Sequence, residues 1–410
     1  MTQIEDNLTP RPRSARELGI MQGNPPPPEK RPSLTNWDLA PFNRWTFQHI
    51  EDLFPIARVG ARSGGARPLA DATADLSGVT FTATEDRRLT LADHLAESYT
   101  DAFMVLHRGR VITETYFNDQ TPLTRHLAQS VSKSLVGALV GVLHGDGLID
   151  LQAPVSDVLP ELAQSGYGDA RIWQVLDMRS GVRFTEDYNL PGSDMTRIDM
   201  AAGWRPTPDG TPRETIRSVI ASLPRIRPHG QSFSYRSIET DLLAWVCEHV
   251  TDMPLPRLLS ERIWQPVGAE ADGFFTVDSA GTALADGGFC ATLRDFARFG
   301  EAMRRAISDA GDTPIPHDWA RATTKPDPDG FDWPYTVLSP KGGYRRQWWV
   351  HDRTRGDIMA RGVFGQLIYI DAEAELTVVK LSTWPDYLMP GYIADTMAAI
   401  AAIRQALADT

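Results

Sequence analysis

From Leu135 to Leu143 the chain is apolar with helical spacing, at 135, 136, 139, 140 and 143, and Gly145 and Gly147 close the run. A helix of that composition has to be buried, so it fixes the centre around which the rest of the chain packs. At its head stands Ser130-Val131-Ser132-Lys133. Residues three apart share one helix face, so the Ser130 hydroxyl and the Lys133 amine are placed as neighbours. That is a way to activate a serine without histidine: Lys133 takes the hydroxyl proton, provided its own pKa falls toward neutrality. Burial beside an apolar helix, or a second cation, lowers it. The positive end of the helix dipole favours the oxyanion that follows.

The spacing gains weight from the cation usage. The chain has 36 arginines and only 5 lysines, so a lysine here replaces the residue that usually serves as its cation. Arginine cannot act as a base.

At 410 residues the chain exceeds what one core normally fills, which predicts two lobes or a domain with a large insertion. A net charge of -12 disfavours nucleic acid and anionic membranes and suits a small or cationic substrate. The apolar run falls far short of the roughly 20 residues of a membrane span. The N-terminus, with Glu5, Asp6 and Pro25 to Pro28, lacks the pattern of a secretory signal, so a cytoplasmic protein is expected. Cys247 and Cys290 read as buried free thiols. Metal-ligand spacings are absent from the sequence, and neither metal nor cofactor is expected. No serine sits in a G-x-S-x-G elbow, which argues against a histidine-based triad.

Residues 1–40, rich in proline and arginine, read as an extended arm suited to wrapping the body or a second copy in a homodimer. Phe103 to Phe117 reads as two strands joined at His107 to Arg110. Strand patterns return at Asp357 to Tyr369 and Leu376 to Ser382, and an amphipathic helix runs from about Tyr392 to Leu407. Between them the chain is dense in prolines with short helices such as Ile238 to Val250. The expected architecture is α+β: residues 41–129 and 291–410 form an antiparallel sheet flanked by helices, and 130–290 a mainly helical lobe with long loops.

Gln129 to Ser134, Gly147-Leu148-Ile149-Asp150, Leu159-Pro160-Glu161-Leu162 and Val175 to Gly181 together resemble the serine beta-lactamase and penicillin-recognising superfamily, in its class C-like branch. Within it the chain is most similar to the 6-aminohexanoate-dimer hydrolases, which cut linear nylon oligomers. Asn43-Arg44-Trp45, Glu186-Asp187-Tyr188, Thr240 to Trp245, Arg346-Gln347-Trp348-Trp349 and Leu381 to Asp386 carry that likeness.

The resemblance implies a two-lobed beta-lactamase/transpeptidase-like fold and an acyl-enzyme on Ser130, with Lys133 as base. Tyr235, in Tyr235-Arg236-Ser237, takes the place of the tyrosine that returns a proton to the leaving amine; the asparagine usual two residues on is Ser237 here. The third motif, expected near Val363-Phe364-Gly365-Gln366, has neither its lysine nor its threonine, which makes a penicillin substrate less apt. Backbone N–H groups of Ser130 and Val363 are implied as the oxyanion hole. For a zwitterionic dimer the resemblance implies Asp199, with Asp194 as the alternative, as partner of the ammonium, and Tyr188 as donor to the substrate amide. Trp349 and Phe364 are expected along the acyl chain; Trp348 and Trp349, being adjacent on a strand, face opposite sides. A short-chain carboxylesterase using the same residues, and a non-catalytic sensor, are the alternatives.

Overall fold

The computed structural model describes residues 11–62, 65–188, 190–337 and 339–408; residues 1–10 of the expected arm lie outside them. The strands of its two larger sheets run in chain order as β1 (Ile56–Val59), β2 (Ala70–Asp71), β3 (Thr100–His107), β4 (Arg110–Tyr116), β5 (His126–Leu127), β6 (Gly273–Thr276), β7 (Phe289–Ala291), β8 (Gly343–Arg345), β9 (Trp348–Asp352), β10 (Asp357–Gly362), β11 (Gln366–Asp371) and β12 (Leu376–Ser382). The main sheet has eight strands in the order β8-β9-β10-β11-β12-β3-β4-β2, antiparallel but for the β2–β4 pair. First and last parts of the chain therefore share one sheet, joined where β12 pairs with β3.

The helices that matter here are α1 (Ser132–Gly145), α2 (Ile238–Thr251), α3 (Leu293–Ser308) and α4 (Pro390–Ala408). One face of the main sheet packs on α3, where Gly300 lets the helix come so close that a Cβ would sit 2.8 Å from Ile368 and Thr377. The opposite face carries Phe103, Val105, Tyr369 and Val378 against Ile400, Ile403 and Leu407 of α4. The smaller sheet, in the order β1-β6-β7-β5, packs with α1 and α2 into the largest apolar core.

Helix α1 is buried at every position from Ser132 to Leu143, as its all-round apolar sequence requires. Gly137 and Gly141 make this possible, since a Cβ on them would meet Arg346 O at 2.4 Å and the Trp319 ring at 2.5 Å. Residues 11–40 form turns anchored to the body: Ile20 and Trp37 are buried, and the Trp37 indole N–H donates to Trp204 O at 2.9 Å. Just beyond, Arg44 pairs with Asp101 at 2.7 Å, and Asp101 also accepts from Asn118 and Thr383 and meets His126 Nε2 at 3.1 Å, all of it buried.

One strand expectation needs correcting. The stretch from Asp357 to Tyr369 is not one strand but β10 and β11, folded back on each other through a single turn at Val363–Gly365. Gly365 (φ 93°) and Phe364 (φ 60°) take left-handed backbone there, and a Cβ on Gly365 would meet the Trp384 ring at 2.3 Å. A turn whose core residues are Val and Phe gives no polar signal, which is why the pattern read as continuous.

Candidate active site

The 3-10 turn Gln129–Val131 feeds directly into α1 and carries Ser130 at its middle. Gln129, just before it, has φ 49°, a left-handed conformation that costs a residue with a Cβ roughly 1–2 kcal/mol. The turn reaches the sheet at Gly362, where a Cβ would stand 2.6 Å from Ala128 O and 3.0 Å from Gln129 Cβ. Only glycine permits that approach, and it brings Ser130 beside Val363. Both residues occupy early positions of single 3-10 turns, where N–H groups have no partner within the turn.

Lys133 is 1% exposed, and its Nζ donates to Ser130 Oγ at 2.9 Å and to Asp286 O at 2.7 Å. The same Nζ lies 5.3 Å from the centre of the Tyr235 ring. Tyr235 stacks on Trp349 with ring centres 5.4 Å apart, and its backbone N–H donates to the Tyr335 hydroxyl at 2.9 Å. Trp348, one residue earlier, turns into the core against Phe299, so the two tryptophans divide as their adjacency predicts.

The pKa of Lys133 does not move as burial alone dictates. Desolvation pushes it down, but Tyr235, Asp286, Glu186 and Asp241 together outweigh that, and the ammonium is held above its ordinary value. Tyr235 is also raised, by burial against the opposing pull of Lys133. Both directions favour the protonated form of each group.

These groups open into a cavity of about 410 Å³ lined by Ser130, Tyr188, Tyr235, Trp349, Val363 and Trp384, with Met359, Leu367 and the α4 residues Ile393 and Met397 farther along. Its acidic member is Glu186, which accepts from Tyr188 OH at 2.8 Å, Ser237 N at 2.8 Å and Ser237 Oγ at 2.5 Å. Ser237, standing where the family motif has asparagine, thus serves to hold a carboxylate in place. Arg361 and Lys380 also line the cavity.

Of the residues picked from sequence, Ser130, Lys133 and Tyr235 converge, and Tyr188, Trp349 and Val363 join Ser130 and Tyr235 on the cavity wall. Asp194 lies off that wall: it begins a helix, accepts from Thr185 N at 2.8 Å and faces Arg183 at 3.7 Å. Asp199 is off the wall as well, though within the field of Asp286 and Glu186; burial raises its carboxyl to about 8 despite Arg205. Phe364 is buried against Phe47, with ring centres 5.3 Å apart, rather than facing the cavity.

Sequence reasoning passed over Glu186, Asp286, Arg361 and Lys380 as site residues. Lys380 was the one with a visible signal, a lysine inside the apolar strand Leu376-Thr377-Val378-Val379-Lys380-Leu381.

The family model "Beta-lactamase" matches residues 90–402 of the chain. A 6-aminohexanoate-dimer hydrolase from Paenarthrobacter ureafaciens is 36% identical over 359 residues, which cover 87% of this chain and 89% of that one. Among solved structures, a Bacillus anthracis protein whose name assigns it provisionally to the 6-aminohexanoate-dimer hydrolases superposes with a TM-score of 0.85 at 24% identity, covering 93% of this chain and 99% of its own. The hydrolase EstCE1, described as having promiscuous acyltransferase activity, shares the fold at a TM-score of 0.57 and 16% identity over 75% of this chain and 93% of its own.

Proposed function

Because the chain belongs to the beta-lactamase family, alongside the 6-aminohexanoate-dimer hydrolases, we propose that it is a serine amidase that opens linear 6-aminohexanoate dimers and oligomers through an acyl-enzyme on Ser130. The observation that carries the reading is the 2.9 Å contact between Lys133 Nζ and Ser130 Oγ at the wall of a cavity that is mostly apolar yet holds a carboxylate. A polymethylene chain with a charged end needs that combination.

Ser130 Oγ attacks the amide carbonyl, whose oxygen settles between the N–H groups of Ser130 and Val363. Lys133 takes the hydroxyl proton, and Tyr235 passes a proton to the departing amine; water then repeats the cycle on the acyl-enzyme. Lys133 can act as base only after shedding its own proton, which the surrounding carboxylates oppose. A substrate ammonium placed against Glu186, with Asp286 and Asp199 behind it, cancels part of that field and favours the neutral amine. Cationic substrates thereby help to arm the nucleophile. Tyr188 gives its one hydroxyl proton to Glu186 at rest and donates to the substrate amide once an ammonium arriving at Glu186 releases it, while Trp349 lines the polymethylene chain. The enzyme is taken to work in the cytoplasm on a small molecule, as a homodimer.

Short-chain esters are the second reading, since the same groups serve an easier leaving group. The test is mass spectrometry after brief exposure to a fluorophosphonate, with Ser130→Ala alongside, and then product analysis on 6-aminohexanoate dimer. One adduct on Ser130 and released monomer support the amidase. An adduct with p-nitrophenyl acetate cleaved and the dimer intact moves the assignment to an esterase, and no adduct at all overturns both.

A further inference from the structure

The cavity is charged differently at its two sides. Glu186, on the wall with Ser130, accepts three hydrogen bonds from Tyr188 and Ser237, which hold it in place and leave acceptor capacity for a ligand. Arg361, one residue before Gly362-Val363, is a guanidinium on the cavity wall with no hydrogen bond or ion pair to protein among the described residues; it rests over the Trp349 ring at 5.3 Å. Trp349 in turn stacks on Tyr235, so one indole ring touches both the guanidinium and a residue of the reacting centre. Desolvation is strong enough to bring its pKa down to about 10, against which only Tyr235 supplies support. Five N–H donors in that state call for an acceptor that the folded chain does not provide.

We propose that Arg361 is the receptor for a free carboxylate on the substrate, so that the enzyme selects amides whose chain ends in an acid. The proposal rests on the hydrolase reading and adds to it an assignment of the anionic end. A guanidinium binds a carboxylate through two parallel N–H···O bonds, which no neutral end group can match. Cross-strand pairing places Arg361, Leu367 and Lys380 on one face of the sheet, Arg361 and Lys380 two strand spacings or roughly 10 Å apart at Cα. The apolar Leu367 between them forms a floor for methylenes, and the carboxylate comes to rest at Arg361, on the strand nearer to Ser130.

The test separates this assignment from the amidase reading by measuring binding without turnover. In the Ser130→Ala background, calorimetry compares 6-aminohexanoate dimer, its C-terminal methyl ester, and hexanoate against hexanamide. The acids should bind about ten- to a hundred-fold more tightly than their neutral counterparts. Arg361→Gln should erase that preference while leaving the neutral ligands' affinity within a factor of three, and Arg361→Lys should restore part of it. Binding without acid preference, or an acid preference that survives Arg361→Gln and disappears in Lys380→Met, overturns the proposal, as does failure of every ligand to bind. If the acids are preferred through Arg361 and the active enzyme nonetheless leaves the dimer intact, the carboxylate site stands and the amidase reading falls.

Discussion

Replacing Gly362 with alanine tests whether the contact between turn and strand assembles the site. The added Cβ would lie 2.6 Å from Ala128 O, where an ordinary contact begins near 3.4 Å, so about 0.8 Å must be made up by moving the Gln129–Val131 turn away from β10. The nearest atom is backbone and the next two are the Cβ atoms of Gln129 and Gln366 at 3.0 Å, none of them the free end of a side chain. The displacement falls on the Ser130 and Val363 N–H groups proposed to hold the oxyanion, and a misplacement of about 1 Å in an active site costs on the order of 100-fold in rate. That is about 2.7 kcal/mol of transition-state stabilisation. Overpacking itself costs about 1–3 kcal/mol of stability, which a chain of this size should survive. The assay is the second-order rate of fluorophosphonate labelling at Ser130, read beside a urea titration. Labelling within threefold of wild type, in a protein that is still folded, would refute the claim that this contact sets the oxyanion hole.

Lys133→Arg keeps a cation beside Ser130 and removes the base, so turnover of p-nitrophenyl acetate should fall at least about 100-fold; retained activity would mean the site needs only a charge. Glu186→Gln removes one of the carboxylates that hold the Lys133 ammonium, so the acid limb of the kcat/KM profile on a neutral ester should move to lower pH. An unmoved or upward-shifted limb would show that Glu186 does not act on Lys133. Asp101→Asn strips the buried Arg44 and His126 of their shared anion and should cost about 3–5 kcal/mol in denaturant. Burial opposes the Asp101 charge, but Arg44, His126 and Thr383 win and lower its pKa, so its stabilisation is present above the unfolded value near 3.8 and is lost as pH falls through the lower folded value. Wild type should therefore lose this increment of stability in strong acid, and the Asn variant should show no such increment. Lys380→Met should stabilise the fold. Burial brings Lys380 to about 7 from 10.5, so the folded state releases its proton before the unfolded one does, at a cost that approaches 5 kcal/mol below pH 7 and vanishes above pH 10.5. Urea midpoints of the variant should exceed wild type more at pH 6.5 than at pH 9.5, and an equal gain at both would refute the assignment.

Much of the frame was legible because periodicity reports burial. The hairpin around His107 to Arg110, the strand Leu376–Ser382, and the helices α1, α2 and α4 fall within a few residues of where apolar spacing puts them. Ser130 and Lys133 were legible for a different reason: three residues on a helix is a fixed geometry, so spacing alone sets the contact. Phe364 was misjudged as a cavity residue, because a left-handed turn reverses the direction in which its side chain leaves the backbone. Asp194 and Asp199 were read from a loop, where sequence position fixes no direction, and the fold instead brings forward Glu186, oriented by Ser237 from a distant segment. Arg361 carries no local mark at all. An arginine at the end of a strand is ordinary until the structure shows what faces it.

The two buried lysines show what decides the chemistry of such a group. Lys133 and Lys380 are equally inaccessible, each at 1% exposure, and each meets a serine hydroxyl, Ser130 at 2.9 Å and Ser382 at 2.6 Å. Desolvation is the largest influence on both, yet one pKa is raised and the other falls to about 7. The difference lies in the surroundings: Lys133 is ringed by Glu186, Asp286, Asp241 and the Tyr235 phenol, whereas Lys380 feels Asp101 against Arg44. The expectation that a buried lysine beside a serine is thereby a ready base holds for the one on the strand and fails for the one at the head of α1. A resting site whose base is protonated reacts slowly with whatever enters. On the proposed mechanism a ligand that brings its own positive charge to the carboxylates offsets the field that holds the Lys133 proton, so the same acidic cluster would make a cationic substrate the one that frees the amine.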